Sequence, residues 1–400
     1  MTTIPPAPLD PDQVALALAP FGESRLLPRD AYVSDDVLEW ERRYLFDDWM
    51  CVGRSSDVPV TGLRAESVGG YGVLLVRDKD GELRAFENVC RHRGHELLPC
   101  GGSAESSKAI VCPYHAWSYR HDGSLIGAPN FKDIDAHYDR STLGLSPVRV
   151  HEWHGWIFID RTGTAKDFAD HIGGFEAVVA PYDADSLVTA ESHTYDVAAN
   201  WKVIIENYQE CYHCPMIHPE LCRVSPPNSG DNVRERTGDW VGGWMDLRAG
   251  METMSLDGRS GGVKMARLDE HEQSHVMYAA VLPNLLISLH PDYVMTHLLV
   301  PISPGQTRIT CSWAFPRRSS PRRASARRTP WTSGTSPTVR TGPPASPSSA
   351  AWSPRRTSPG RSPPTRPAST TSPPPSPAPT WVARVVELAL RVVELALRAR

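Results

Sequence analysis

Strand-patterned segments on either side of one clear helix predict a mixed strand-and-helix fold. Three observations carry this reading. Residues 45–160 alternate β-branched and aromatic runs with turn residues, a helical period begins at Asn200, and residues 276–315 return to strand character. The chain has 400 residues, 40% hydrophobic and 22% charged, enough for two domains and a sizeable core.

In order along the chain, residues 1–44 read as an extended lead with a short helix around Asp35–Tyr44. Gly72–Arg77 is a strand, followed by a hairpin-like turn at Lys79-Asp80-Gly81. Ala116–Arg120 reads as another strand, closed by Asp122-Gly123. Val148–Asp160 is aromatic and β-branched, with Trp153, Trp156 and Phe158. From Asn200, apolar Trp201, Ile204, Ile205 and Tyr208 recur every three or four residues. The later strands are interrupted by Pro283 and Pro291.

Several functions are unexpected. A net charge of −4 gives no reason for a nucleic-acid partner. There is no apolar run long enough to span a membrane, and MTTIPPAPLDPDQ lacks the basic start of a signal peptide. A cytoplasmic location follows, with the 8 Cys reduced and free to bind metal. Neither G-x-G-x-x-G after a strand nor G-x-x-x-x-G-K occurs, so no nucleotide site is expected.

The tail is anomalous. Of 37 Pro, 16 fall between Arg317 and Thr380, a segment of eight residue types with 11 Arg and no acid. Such a composition cannot build a packed core. It ends in two copies of RVVELAL.

The strongest motif is Cys90-x-His92, then 19 residues, then Cys112-x-x-His115. Two Cys and two His can close a tetrahedral site, and structural zinc is the simplest reading. Zinc fingers, however, pair Cys with Cys and His with His. Here each loop supplies one of each, which suits a Rieske [2Fe–2S] cluster with two thiolates on one iron and two imidazoles on the other. Of the remaining cysteines, Cys100 reads as a spare thiol and Cys51, Cys222 and Cys311 as buried small residues. Cys211-x-x-Cys214 lacks the βαβ context of a redox pair.

The second constellation is Glu210-x-x-His213, with His218 beyond Pro215. His213 is expected late in the helix from Asn200, with Pro215 breaking that helix. Two His alone could be surface residues. Beside a cluster motif they suit a non-haem Fe(II) site of two His and one carboxylate, with positions open to O2 and substrate.

With these motifs the chain resembles the oxygenase component of the Rieske non-haem iron oxygenases, the aromatic-ring-hydroxylating family, over residues 40–316. The text NYQECYHCPMIHPEL, VGGWMDL and ETMSLDGRS is most similar to the glycine betaine monooxygenase and stachydrine demethylase branch. The resemblance implies an α+β fold. Residues 45–162 would form a Rieske β domain, and residues 163–316, with 1–44, a catalytic domain whose antiparallel sheet is covered by helices. Cys90, His92, Cys112 and His115 match the cluster ligands, and His213 and His218 the iron ligands. Glu210 matches the acid that bridges a cluster His of one subunit to an iron His of the next. The cofactors would be a [2Fe–2S] cluster and mononuclear Fe(II). The partners would be O2, a small organic substrate, a separate NAD(P)H-dependent reductase or ferredoxin, and two further copies in a homotrimer. The 19-residue gap is slightly long for the family and suggests a loop insertion at Gly101–Lys108. Trp201, Tyr208, Trp240 and Trp244 are candidates to hold a quaternary ammonium by cation–π attraction. An aromatic-ring dioxygenase is the alternative within the family. A Rieske electron carrier and a zinc-stabilised binding module are the alternatives outside it.

The resemblance also places the third iron ligand, a carboxylate, on a late helix where this chain has its Pro/Ser/Arg tail. No Asp or Glu occurs there before Glu387, and 36 Arg against 6 Lys suggest a GC-rich gene. Reading residues 329–351 two bases later allows AVDFWDVTNRQDWAACESVQRGL, which resembles that helix, its Asp before Trp straddling Arg340 and Thr341. The expectation is a reading frame lost after about Pro316, and a chain short of its third ligand.

Overall fold

The computed structural model describes residues 5–317 apart from 21–22, 107, 132–137, 234–235 and 261–262. Residues 318–400 lie outside the described residues, and with them nearly all of the tail and the frame reading attached to it.

The first sheet is antiparallel, in the order β1-β10-β9-β4-β3-β2-β5. Its strands are β1 (Met50–Arg54), β2 (Gly62–Val68), β3 (Tyr71–Arg77), β4 (Leu83–Glu87), β5 (Ser103–Glu105), β9 (Pro147–Trp153) and β10 (Trp156–Asp160). Beside it, β6 (Ile110–Val111), β7 (Ser118–Tyr119) and β8 (Leu125–Gly127) form a small sheet. The strand expected at Ala116–Arg120 is shorter because Ala116 turns at φ +57°. The aromatic stretch Val148–Asp160 is two strands, folded at His154 (φ +45°) and Gly155 (φ +80°). The supposed insertion at Gly101–Lys108 contains β5, which pairs with Gly62–Arg64 at the sheet edge. Ser103, Ala104 and Glu105 are all exposed, so this strand lacks the alternation that marks half-buried ones.

The second sheet has the order β11-β16-β15-β14-β13-β12, also antiparallel. It comprises β11 (Val188–Val197), β12 (Trp240–Asp246), β13 (His275–Val281), β14 (Leu285–Leu289), β15 (Val294–Ser303) and β16 (Gln306–Phe315). One face buries Leu285, Ile287 and Leu289 with Phe175 and Trp240. The other buries Leu286 and Leu299 beneath the helix Trp201–Tyr208.

That helix starts where the Asn200 side chain accepts from the Lys202 N–H at 3.0 Å. The helix Asp35–Tyr44 packs across it. Buried Glu41 accepts from Lys202 Nζ (2.5 Å) and Trp201 Nε1 (2.9 Å). The pair fixes how the N-terminal segment lies over the second sheet. Among the described residues no helix is long and apolar enough to cross a membrane.

Candidate active site

Two loops present the first four candidate ligands, and they share one turn. After β4, the Cys90 N–H donates to the His95 carbonyl (2.8 Å) and the Gly94 N–H donates back to the Cys90 carbonyl (2.9 Å). Between β6 and β7, the Cys112 N–H donates to the Trp117 carbonyl (2.8 Å) and the Ala116 N–H to the Cys112 carbonyl (3.0 Å). The residue four past each cysteine is left-handed, φ +67° at Gly94 and +57° at Ala116. Both thiols are buried, while His92 is half-buried and His115 exposed, their rings 4.9 Å apart. Trp117 stacks on His92 at 4.9 Å and 3°. The Tyr119 hydroxyl lies 3.1 Å from Cys90 Sγ. Burial pushes the Cys90 thiol up against the pull of that hydroxyl, and neighbouring Cys112 adds to the rise.

This donor set fits a binuclear cluster. Among the described residues no three of His, Cys, Asp and Glu are placed to hold one metal ion. A tetrahedral zinc needs four donors on one ion, whereas each cluster iron takes two. Two inner thiols and two outer imidazoles divide in that way.

The second constellation is built differently from the sequence expectation. The helix ends at Tyr208, with Gln209 as its C-cap. His213 is instead the N-cap of a new short helix, Cys214–Ile217, and His218 caps its end. Pro215 breaks nothing, because it stands in the first turn of that new helix, where a missing N–H costs no bond. Glu210 therefore does not share a helix face with His213, yet Glu210 Oε1 lies 2.5 Å from His213 Nδ1. A carboxylate only accepts, so Nδ1 carries the proton and Nε2 is left for a metal. Burial pushes the Glu210 carboxyl up, but His213 and the N–H groups of Tyr212 and His213 hold it below the usual range. The rings of His213 and His218 are 5.3 Å apart. Burial, then His213, lower the His218 pKa, and its buried Nδ1 has no hydrogen-bond partner among the described residues. Two imidazoles side by side fit a metal ion, with Glu210 engaged by His213 rather than placed as a third donor.

Both imidazoles line a cavity of about 90 Å³, room for several waters or one small organic molecule. Its roof is the segment from Asn207 to Ser225. Its floor is the second sheet, where Tyr278, His290, Met295 and His297 face upward. Sulfur is abundant in the wall, from Cys211, Cys214, Cys222, Met245, Met254 and Met295. No Lys or Arg lines it among the described residues, and Glu210 is its one carboxylate. The rings of Tyr208 and Tyr278 meet at 6.0 Å and 74°.

Of the four aromatic candidates, only Tyr208 lines this cavity. Trp201 is buried against Phe46, and Trp240 against Phe175. Trp244 packs toward His271 and His275. Cys222 is half-exposed and on the cavity wall, not buried in a core, because its helix Pro219–Val224 faces the opening. Sequence reasoning missed Tyr278, His290, Met295 and His297. Their signal was available: Ser288 and His290, then Met295 and His297, are alternate residues in otherwise apolar strands.

Residues 48–138 match the Rieske [2Fe-2S] domain, and residues 184–339 match the catalytic domain of the ring-hydroxylating alpha subunit. The chain belongs to the Rieske non-haem iron oxygenases, as an oxygenase component using a [2Fe–2S] cluster and a mononuclear iron. Such enzymes are oxidoreductases that work with O2, an organic substrate and a reductase or ferredoxin. Among its relatives, the glycine betaine monooxygenase oxygenase subunit of Pseudomonas aeruginosa is 29% identical over 337 residues, covering 76% of this chain and 78% of the relative. The carnitine monooxygenase oxygenase subunit of Acinetobacter baumannii is 38% identical over 196 residues, covering 48% of this chain and 52% of the relative. A solved quaternary ammonium Rieske monooxygenase superposes with a TM-score of 0.64 at 27% identity, covering 78% of this chain and 80% of that one. Naphthalene 1,2-dioxygenase from Rhodococcus shares the fold with a TM-score of 0.65 at 20% identity. A simple electron carrier would not need the catalytic domain matched after residue 184.

Proposed function

We propose that this chain is the oxygenase component of a monooxygenase that N-demethylates a small quaternary ammonium compound. The observation that carries the reading is the cavity: two tyrosine rings, a sulfur wall, one carboxylate and, among the described residues, no Lys or Arg. A cation is favoured there by the tyrosine rings, and no Lys or Arg opposes it among the described residues. The names of the relatives, glycine betaine and carnitine monooxygenases, point the same way.

In this reading Cys90 and Cys112 hold one cluster iron, His92 and His115 the other, and His213 and His218 the mononuclear iron. The bound metals would supply electrons and O2 activation. The net change is one oxygen atom into an N-methyl C–H bond, with O2, two electrons and two protons giving water. The N-hydroxymethyl product then loses formaldehyde and a proton, leaving the tertiary amine. Glu210 holds His213 in the Nδ1–H form and, across a subunit boundary, accepts from a cluster imidazole of the next copy. A head-to-tail homotrimer meets that need. Its support is exposed apolar surface at both ends of the route. Tyr114 and Phe131 lie around the cluster loops, and Tyr212 and Met216 beside His213. The electrons come from a separate NAD(P)H-dependent reductase, in the cytoplasm where thiols stay reduced.

The test is oxygen uptake with a reductase by a chain with an intact third ligand, screening betaines against aromatic acids, with formaldehyde measured. Formaldehyde from a betaine supports the reading. A cis-diol or phenol from an aromatic ring, with betaines inert, would move the chain to the ring-dioxygenase branch.

A further inference from the structure

His290 stands just past the end of β14, 1% exposed, on the cavity floor. Neither ring nitrogen has a hydrogen-bond partner among the described residues. Its plane is nonetheless fixed. The ring stacks on Tyr293 at 3.9 Å and 12°, and the Tyr293 hydroxyl donates to the Met254 carbonyl at 3.0 Å. A buried polar group left unmet is costly, so this imidazole is built to be met by something in the cavity.

The surroundings narrow what that is. Burial alone lowers the His290 pKa, to about 3, with no neighbouring charge contributing. The ring is therefore neutral, carries one N–H to donate, and has no acid close enough to shift it. Asp292, nearby in sequence, is engaged by the Thr253 hydroxyl at 2.5 Å. Tyr278 lies 6.3 Å from His290, centroid to centroid. A cation over the tyrosine pair thus has His290 one short side chain away. His297 is also buried with no hydrogen-bond partner among the described residues, but its contact with Tyr208 is T-shaped, at 5.7 Å and 69°, with no stacked ring among the described residues to fix it.

We propose that His290 receives the carboxylate of a zwitterionic substrate whose ammonium lies against Tyr208 and Tyr278. This rests on the quaternary ammonium reading above, and makes His290 the residue that separates betaines from simple ammonium ions. Among the described residues the cavity offers no Lys or Arg for that carboxylate, so a neutral donor takes the task.

The test is calorimetric binding of glycine betaine and of tetramethylammonium to the full chain, independent of turnover. Visible absorbance of the cluster serves as the folding control. The expected result is that His290→Leu weakens glycine betaine at least about tenfold while leaving tetramethylammonium within about twofold. His290→Asn, which keeps an N–H donor, recovers part of the loss, and His297→Leu shows no such selectivity. If His290→Leu weakens both probes equally, or neither, the carboxylate assignment is overturned and the ammonium reading survives. If the unaltered chain binds neither probe, the ammonium reading itself is overturned.

Discussion

Glu210 Oε1 lies 2.5 Å from His213 Nδ1, in a turn that begins only after the helix Trp201–Tyr208 has ended. The contact orients an imidazole without using a helix face, so the acid can serve the ring of His213 and still reach outward. Glu210→Gln should therefore keep metal content near normal while slowing oxidation of the reduced cluster at least about tenfold. The measurements are iron analysis and single-turnover absorbance on a chain with an intact third ligand. Loss of iron together with normal electron transfer would make Glu210 a ligand instead.

The mixed Cys and His loops predict a red-brown protein. Reduction should give an electron paramagnetic resonance signal with a low average g value. His92→Cys or His115→Cys should lower the potential if a cluster still assembles, since thiolate favours the oxidised state. A colourless protein with stoichiometric zinc would refute the cluster.

The shared turn of the two loops predicts substitutions of opposite sign. A Cβ at Gly94 meets nothing within 4 Å, so Gly94→Ala costs only its left-handed backbone, about 1 kcal/mol. Ala116 already bears that strain, so Ala116→Gly should stabilise by about the same amount. Denaturant midpoints followed by cluster absorbance check both. Shifts of the same sign would contradict the turn.

Glu206 supplies a pH dependence. Burial pushes its carboxyl up to about 7, against the Tyr32 hydrogen bond and the attraction of Lys202. The folded state thus holds this proton more tightly than the unfolded chain, whose carboxyl sits near its ordinary value of 4.5. The contribution is fully present below that value and is lost as pH rises through about 7. Glu206→Gln should match the unaltered protein near pH 5 and be more stable near pH 8, by about 1–3 kcal/mol. Melting curves at the two pH values decide it, and a difference independent of pH would not fit.

The tail carries the last prediction. If the frame is lost after about Pro316, this chain should hold a reducible cluster, bind little mononuclear iron and form no product. Shifting the frame over residues 329–351 should restore iron binding. A clean gene sequence through codon 400, or full iron and turnover from the chain as it stands, would rule this out.

The pairing of Cys90 with His92 and of Cys112 with His115 was legible because each pair sits within one short loop, where spacing alone expresses geometry. Glu210, His213 and His218 were legible for the same reason, but the helix end was not. Pro215 starts a helix as readily as it stops one, and the distinction depends on where the preceding backbone has already turned. The cavity floor was hidden because Tyr278, His290 and His297 come from different strands, and only the register Tyr278↔Ser288↔Met295 aligns them. β5 was hidden because an exposed edge strand is held by backbone pairing, which leaves no mark in side-chain pattern.

The six sulfur side chains of the cavity wall leave this protein open to oxidation from within. Thioethers and thiols suit a soft, adaptable wall, but they are also the side chains most easily oxidised. Whenever reduced oxygen escapes without meeting substrate, these sulfurs are within its reach, Cys214 Sγ lying 4.0 Å from His213 Nε2, and each methionine sulfoxide puts a polar, chiral group where an apolar surface stood. Ageing would then track wasted oxygen rather than elapsed time. A well-filled cavity becomes a form of self-preservation, and the starved enzyme, not the busy one, wears out first.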